Sequence, residues 1–161
     1  MGHSDFNIRI DLPSTHRFLN VAGLGIDAIL QRLDDLIPGA EQVSREVQVA
    51  AQEICANIVD HAYADGENGR VTIEVSIGLK ESRLDIHIRD TGKEFDENIV
   101  REPALGELQE RGFGLYFAKQ LMDQVNYRRH DNENHWHLIK HLKVSELDIN
   151  QQVDSEHVLT S

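Results

Sequence analysis

The sequence predicts an α+β domain. Two long segments repeat apolar residues at three- and four-residue steps, and several shorter ones alternate apolar with polar residues. The two clearest alternating segments, RVTIEVSI and RLDIHIRD, are separated only by GLKES, so they read as neighbours in an antiparallel hairpin.

Taken in order, FNIRIDL alternates and ends at Pro13, which predicts a first strand. Ser14 stands where it can cap a helix running to about Ile37. Phe18, Val21, Ala22, Ala28, Ile29, Leu33 and Leu36 form its apolar stripe, and Gly23 and Gly25 each weaken it by about 1 kcal/mol. Pro38-Gly39 breaks the chain. A second helix, about Glu41 to Tyr63, carries Val43, Val47, Ala50, Ala51, Ile54 and Ile58 on one face. ADGENG is a turn, after which Val71, Ile73, Val75 and Ile77 of the hairpin face the same core as Leu84, Ile86 and Ile88.

From Thr91 to about Arg111 the chain is polar, irregular and broken by Pro103, long enough to mark a functional lid or a disordered excursion. Helical spacing returns at Leu115, Ala118, Leu121, Met122 and Val125. VNYRRHDNENHWHLIKHL then reads as a final hairpin, and the residues from about Val144 are a polar tail. The expected organisation is one domain over 6–143 and a tail over 144–161.

The 161 residues carry 28 acidic against 16 basic side chains, a formal net charge of −12. Such a field repels phosphate backbones and anionic membranes, which argues against both as partners. It favours basic or neutral protein surfaces, or a nucleotide whose charge is handled locally by a metal ion. The sole cysteine, Cys55, excludes an internal disulfide, and no apolar run suits a signal peptide or a membrane span, so a cytoplasmic location is expected.

Four groups of residues invite chemistry. Gly112 and Gly114 fall at the first turn of the third helix, where unpaired N–H groups and the dipole favour an anion and the missing Cβ lets it approach; a tight turn without ligand explains the pair equally well. Glu53 and Asn57, four residues apart, lie about 40° from each other on the second helix. They suit a general base beside a hard-cation ligand, or simply a solvated helix edge. Asp90 ends a strand before Thr91 and Gly92, and either starts a turn or offers a carboxylate to an exocyclic amine such as that of adenine. His135, His137 and His141 share a strand face, but no Cys or carboxylate stands at a zinc spacing nearby, and a partly exposed strand face is the plainer reading. Trp136 reads as core or interface.

Glu53-x-x-x-Asn57, Asp90-x-Gly92 with Phe95-Asp96, and Arg111-Gly112-Phe113-Gly114-Leu115 resemble, in order, the N, G1 and G2 boxes of the GHKL ATPases. Within that superfamily the chain looks most like the anti-sigma-factor serine/threonine kinases of bacterial partner-switching systems. NIVDHAYADG and RGFGLYFAKQLMDQV are the nearest local matches, and the similarity covers roughly residues 6 to 143. The resemblance implies a two-layer α/β sandwich, the Bergerat ATP-binding fold, with helices on one face of a mixed, mostly antiparallel sheet. It implies that ATP and Mg²⁺ are the cofactors, Glu53 the catalytic base, Asn57 the Mg²⁺ ligand and Asp90 the adenine acceptor. Gly92, Arg111, Gly112, Phe113, Gly114 and Leu115 would complete the nucleotide-binding set. Family members phosphorylate a small anti-sigma-factor antagonist, many sequester a sigma factor, and homodimers are common.

One departure stands out: Glu94 occupies the position before Phe95 where the family usually has Gly or Pro. It favours one rival to the kinase reading, a nucleotide-gated binding module without phosphoryl transfer; a second rival is a detached histidine-kinase catalytic domain. Against the latter, no dimerisation helix with a phospho-acceptor histidine precedes the boxes.

Overall fold

The computed structural model describes residues 6–64, 68–96 and 113–145. Five strands, β1 (Phe6–Pro13), β2 (Arg70–Gly78), β3 (Arg83–Asp90), β4 (Gln124–His130) and β5 (Glu133–His141), form one sheet in the order β1-β2-β3-β5-β4. All four neighbouring pairs are antiparallel, so the expected mostly antiparallel sheet is antiparallel throughout among the described strands. Two of its connections are tight turns in which non-glycine residues take positive φ: Ser82 at 51°, and Asp131 and Asn132 at 50° and 63°. Two successive positive φ values match the twist of a two-residue hairpin, and Asp and Asn tolerate them best.

Helices α1 (Leu19–Leu30), α2 (Ala40–His61) and α3 (Gly114–Leu121) cover one face of the sheet. Alternation along the strands delivers Val71, Ile73, Val75, Ile77, Leu84, Ile86 and Ile88 to that face, all buried as the sequence predicts, together with Trp136 and Leu138 of β5. Helix α2 runs through the middle of this layer and presents Val47, Ala50, Ala51, Ile54 and Ile58 to the core, with α1 and α3 packed on either side of it. Lys140 clamps the layers: its Nζ donates to Glu46 Oε2 of α2 and to the Leu121 carbonyl at the end of α3, both at 2.6 Å.

The first helix differs from expectation. Ser14 does not cap it; its hydroxyl is buried without a hydrogen-bond partner among the described residues, and its N–H donates to the Gly69 carbonyl at 2.8 Å. In place of one helix to Ile37, a 3₁₀ turn (His16–Phe18) precedes α1 and another (Gln31–Leu33) follows it. The buried stripe is Ala22, Ile26, Leu30 and Leu33, while Val21 and Ala28 point outward. A segment apolar on more than one side offers two possible stripes, and tertiary packing chooses between them. Helix α3 stops at Leu121, so Val125 belongs to β4 and Met122 is already extended. Val144 packs on the core and the Ser145 N–H donates to the Leu36 carbonyl at 2.9 Å, so the folded body reaches Ser145. Most of the expected lid, 97–112, and the tail from 146 lie outside the described residues. No helix among the described residues is long and apolar enough to cross a membrane.

Candidate functional site

Asp90 ends β3, Asn134 is the second residue of β5, and the two are register partners across the sheet. Asp90 is only 3% exposed, on the helix-facing side, where Ile58 of α2 and Ala62 just after that helix approach the strand end. Together with Asn57, His61, Lys93, Glu94, Phe95 and Trp136, these residues line a cavity of about 170 Å³. That is below the roughly 300–1,000 Å³ of drug-sized ligand sites, so the described walls enclose room for about one ring system.

The floor is held by a hydrogen-bond lattice. Asn134 Nδ2 donates to Asp90 Oδ1 at 2.9 Å and to the Lys93 carbonyl at 2.9 Å. Its Oδ1 accepts from Arg129 Nη1 at 2.6 Å and from the Tyr127 hydroxyl at 2.8 Å. Because guanidinium only donates and a carbonyl only accepts, this environment fixes the amide orientation. Tyr127 in turn accepts from the Phe95 N–H at 3.1 Å, and Arg129 reaches the Gly92 carbonyl at 2.9 Å. On the other side Tyr63 accepts from the Thr91 N–H at 3.1 Å while donating to the Arg70 carbonyl at 3.0 Å. The stretch from Thr91 to Phe95 is therefore pinned from both edges.

Within this lattice Asp90 Oδ1 is doubly satisfied, by Asn134 and by the Gly92 N–H at 2.8 Å, but Oδ2 is buried with no partner among the described residues. Burial raises the Asp90 pKa above its ordinary 3.8, opposed by the hydrogen bonds from Asn134 and Gly92. Cys55 lies beneath, where burial first and the Asp90 charge second push its thiol up to about 12, so it is no nucleophile.

Gly92 is constrained by backbone. A Cβ there would lie 2.3 Å from the Ala62 carbonyl oxygen, and the neighbouring Lys93 N–H donates to that same oxygen at 2.5 Å. Gly114 is constrained differently: its Cβ would fall 2.3 Å from Glu53 Oε2, the free end of a side chain. Helix α3 thus begins directly against the Glu53 carboxylate, and no side chain among the described residues caps its first turn.

The structure brings Asn57 and Asp90 to the cavity, sets Gly92 against Ala62 beside it, and places Glu53 beside Gly114 one helical turn before Asn57. Phe113 is half-buried ahead of α3 and Leu115 is buried in the core. Arg111 and Gly112 lie outside the described residues. Glu94 is exposed at the cavity wall, and Trp136 is a core residue, 2% exposed, whose ring meets Phe95 edge-on at 4.9 Å. Sequence reasoning missed Asn134, whose setting in DNENH reads as turn composition, along with its supports Tyr127 and Arg129.

Residues 19–140 match the family described as histidine kinase-like ATPase domain. The serine-protein kinase RsbW of Halalkalibacterium halodurans is 32% identical over 135 residues, covering 78% of this chain and 78% of that protein. RsbW of Bacillus subtilis is 28% identical over 131 residues, covering 76% and 78%. Among solved structures, the RsbU and RsbW domains of a Mycobacterium tuberculosis protein superpose with a TM-score of 0.61 at 15% identity, over 85% of this chain and 32% of that one. The histidine kinase domain of the Erythrobacter litoralis blue-light-activated kinase gives 0.50 at 18%, over 77% and 61%. At those identities the structures speak for a shared fold alone. The chain belongs to the histidine kinase-like ATPase domain family, alongside the RsbW serine-protein kinases.

Proposed function

We propose that the protein is an ATP-dependent serine/threonine protein kinase of the anti-sigma type, which phosphorylates a small anti-sigma-factor antagonist and switches partners with it. The observation that carries the nucleotide part is Asp90 Oδ2: a buried carboxylate oxygen, without a partner among the described residues, at a cavity sized for a ring. An unsatisfied buried acceptor costs about 1–3 kcal/mol, and an amine N–H donor of adenine relieves that cost.

The donor set fits the cofactors. Asn57 offers one neutral oxygen at the cavity wall, in keeping with a Mg²⁺ ion that takes few protein ligands and keeps several waters. When bound, Mg-ATP supplies the transferable γ-phosphoryl group. Asp90 accepts the adenine amine, and Gly92 keeps the Thr91–Phe95 stretch close to Ala62 so that this acceptor stays walled in. The uncapped first turn of α3, at Phe113, Gly114 and Leu115, turns its N–H groups toward phosphate oxygens. Arg111 and Gly112 have matching roles through the family resemblance. Glu53, one turn from Asn57, takes the proton from the hydroxyl of a serine or threonine on the antagonist. A sigma factor as second partner, a homodimeric state and a cytoplasmic location belong to the same reading.

The test is incubation of the protein with radiolabelled ATP, Mg²⁺ and candidate antagonists from the same genome. Label on a serine or threonine of one antagonist is expected. ATP binding without label on any of them assigns the protein to nucleotide-gated binding, the role that Glu94 at the cavity wall would suit.

A further inference from the structure

The sheet face away from the helices holds a second cluster, independent of the nucleotide site. His87 of β3 and His137 of β5 are register partners, so their side chains leave the sheet side by side, with ring centroids 4.2 Å apart. Asp85 lies two residues before His87, on the same face of β3. Its Oδ1 sits 2.6 Å from His137 Nε2. One ligand atom from each of Asp85, His87 and His137 can be chosen such that all lie within 4.8 Å of one another.

We propose that Asp85, His87 and His137 bind one divalent transition-metal ion of the zinc type on this open sheet face. Two imidazoles and one carboxylate are ligands that Zn²⁺ accepts, and three protein ligands leave a fourth position for water. Tetrahedral bonds of about 2.0–2.1 Å place ligand atoms roughly 3.3 Å apart, so the Asp85–His137 pair, now at 2.6 Å, opens while atoms as far as 4.8 Å apart close by up to about 1.5 Å. Both strands are central in the sheet, which fixes the backbone from which the three side chains project.

The surroundings are those of a held ligand set. Arg83 Nε donates to Asp85 Oδ2 at 2.7 Å, which orients the carboxylate and leaves Oδ1 toward His137. Arg128 Nε donates to His135 Nδ1 at 3.0 Å, so neutral His135 carries its proton on Nε2 and donates it to His87 Nδ1, 2.9 Å away; neutral His87 then keeps its own proton on Nε2, and an ion bound by His87 takes the Nδ1 lone pair in place of that hydrogen bond. The Arg83 bond is an outer hydrogen bond of the kind that orients a ligating carboxylate. The short Asp85–His137 contact holds a proton between an oxygen and a nitrogen, and a divalent cation takes that proton's place, releasing it to solvent. Asp85 and His137 side chains are 13% and 28% exposed, enough for an ion to enter and little enough to shed most of its water.

Isothermal titration of the full chain, freed of metal by chelator and without nucleotide, with zinc chloride tests this. One ion per chain is expected, together with a raised melting temperature and no displacement by millimolar Mg²⁺, which prefers oxygen ligands. His87→Gln and His137→Gln should each weaken Zn²⁺ binding more than about tenfold, the scale on which even outer-shell partners act. His141→Gln, an exposed histidine on the same strand, should leave it unchanged. Circular dichroism and the Mg-ATP melting shift report that each variant is folded. Absence of zinc binding by the wild type overturns the proposal. So does binding that survives both glutamine variants or is lost equally in His141→Gln.

Discussion

Asn134 holds Asp90 by a single oxygen: its amide donates to Oδ1 at 2.9 Å and leaves Oδ2 buried with no partner among the described residues. The pair is a register match between the last residue of β3 and the second of β5, so the sheet itself presents the acceptor. A carboxylate kept in this state is poorly solvated and open to one more donor.

That state gives Asp90→Asn a signature in stability as well as in binding. The folded pKa of Asp90 is raised by burial, so the native state holds the proton more tightly than the unfolded chain. The stabilisation that follows is fully present below the ordinary 3.8 and is lost as pH rises through the raised native value. At pH 7 the ionised group is therefore a cost, and Asp90→Asn should melt at or above the wild-type temperature without nucleotide. The difference should narrow as pH falls toward 3.8. The melting shift produced by Mg-ATP should meanwhile collapse in the variant. Melting curves across pH, with and without nucleotide, check both halves; a variant that keeps the full nucleotide shift removes Asp90 from adenine recognition.

Asn134→Ala tests the lattice. The substitution deletes donors to Asp90 Oδ1 and the Lys93 carbonyl and strands the hydrogens of Tyr127 and Arg129. Each buried group left unsatisfied costs about 1–3 kcal/mol, so a loss of about 2 kcal/mol or more is expected in denaturant unfolding. Hydrogen exchange should quicken at the Gly92 and Phe95 amides, which the lattice now protects. Unchanged protection at both would mean that the Thr91–Phe95 stretch is held by other contacts.

What could be read in the sequence follows the range of the interactions involved. Val71 to Ile77 and Leu84 to Ile88 declare their face by alternation, which is local, and the structure buries them as expected. Glu53 and Asn57 could be paired because one helical turn separates them. Asn134 could not, since its partner is 44 residues away and only the β3–β5 register joins them. The histidines show the same limit. Spacing along β5 groups His135, His137 and His141, whereas the fold sets His137 against Asp85 and His87 of another strand and leaves His141 exposed. In α1, Val21 and Ala22 are both apolar neighbours, and only packing against α2 decides that Ala22 is the one buried.

Glu53 and Gly114 allow catalysis to be separated from binding. A general base contributes typically about 10²–10⁴-fold to rate and little to ground-state affinity. Glu53→Ala should therefore bind ATP nearly as the wild type does, while phosphorylation of the antagonist falls on that scale. Gly114→Ala acts on the same carboxylate by another route, because the new Cβ would come within 2.3 Å of Glu53 Oε2. The obstructing atom is the end of a flexible side chain, so the fold should tolerate the change with a small loss of stability, but the carboxylate must move. Transfer should then drop in the single variant. Once Glu53 is alanine, adding Gly114→Ala should cost little further, since the group it displaces is gone; residues in contact are where such non-additivity is found. Transfer rates for the four proteins of this cycle decide the matter. Strictly additive losses would mean that Gly114 acts through its own backbone, and transfer that survives Glu53→Ala would return Glu53 to an ordinary polar edge of α2.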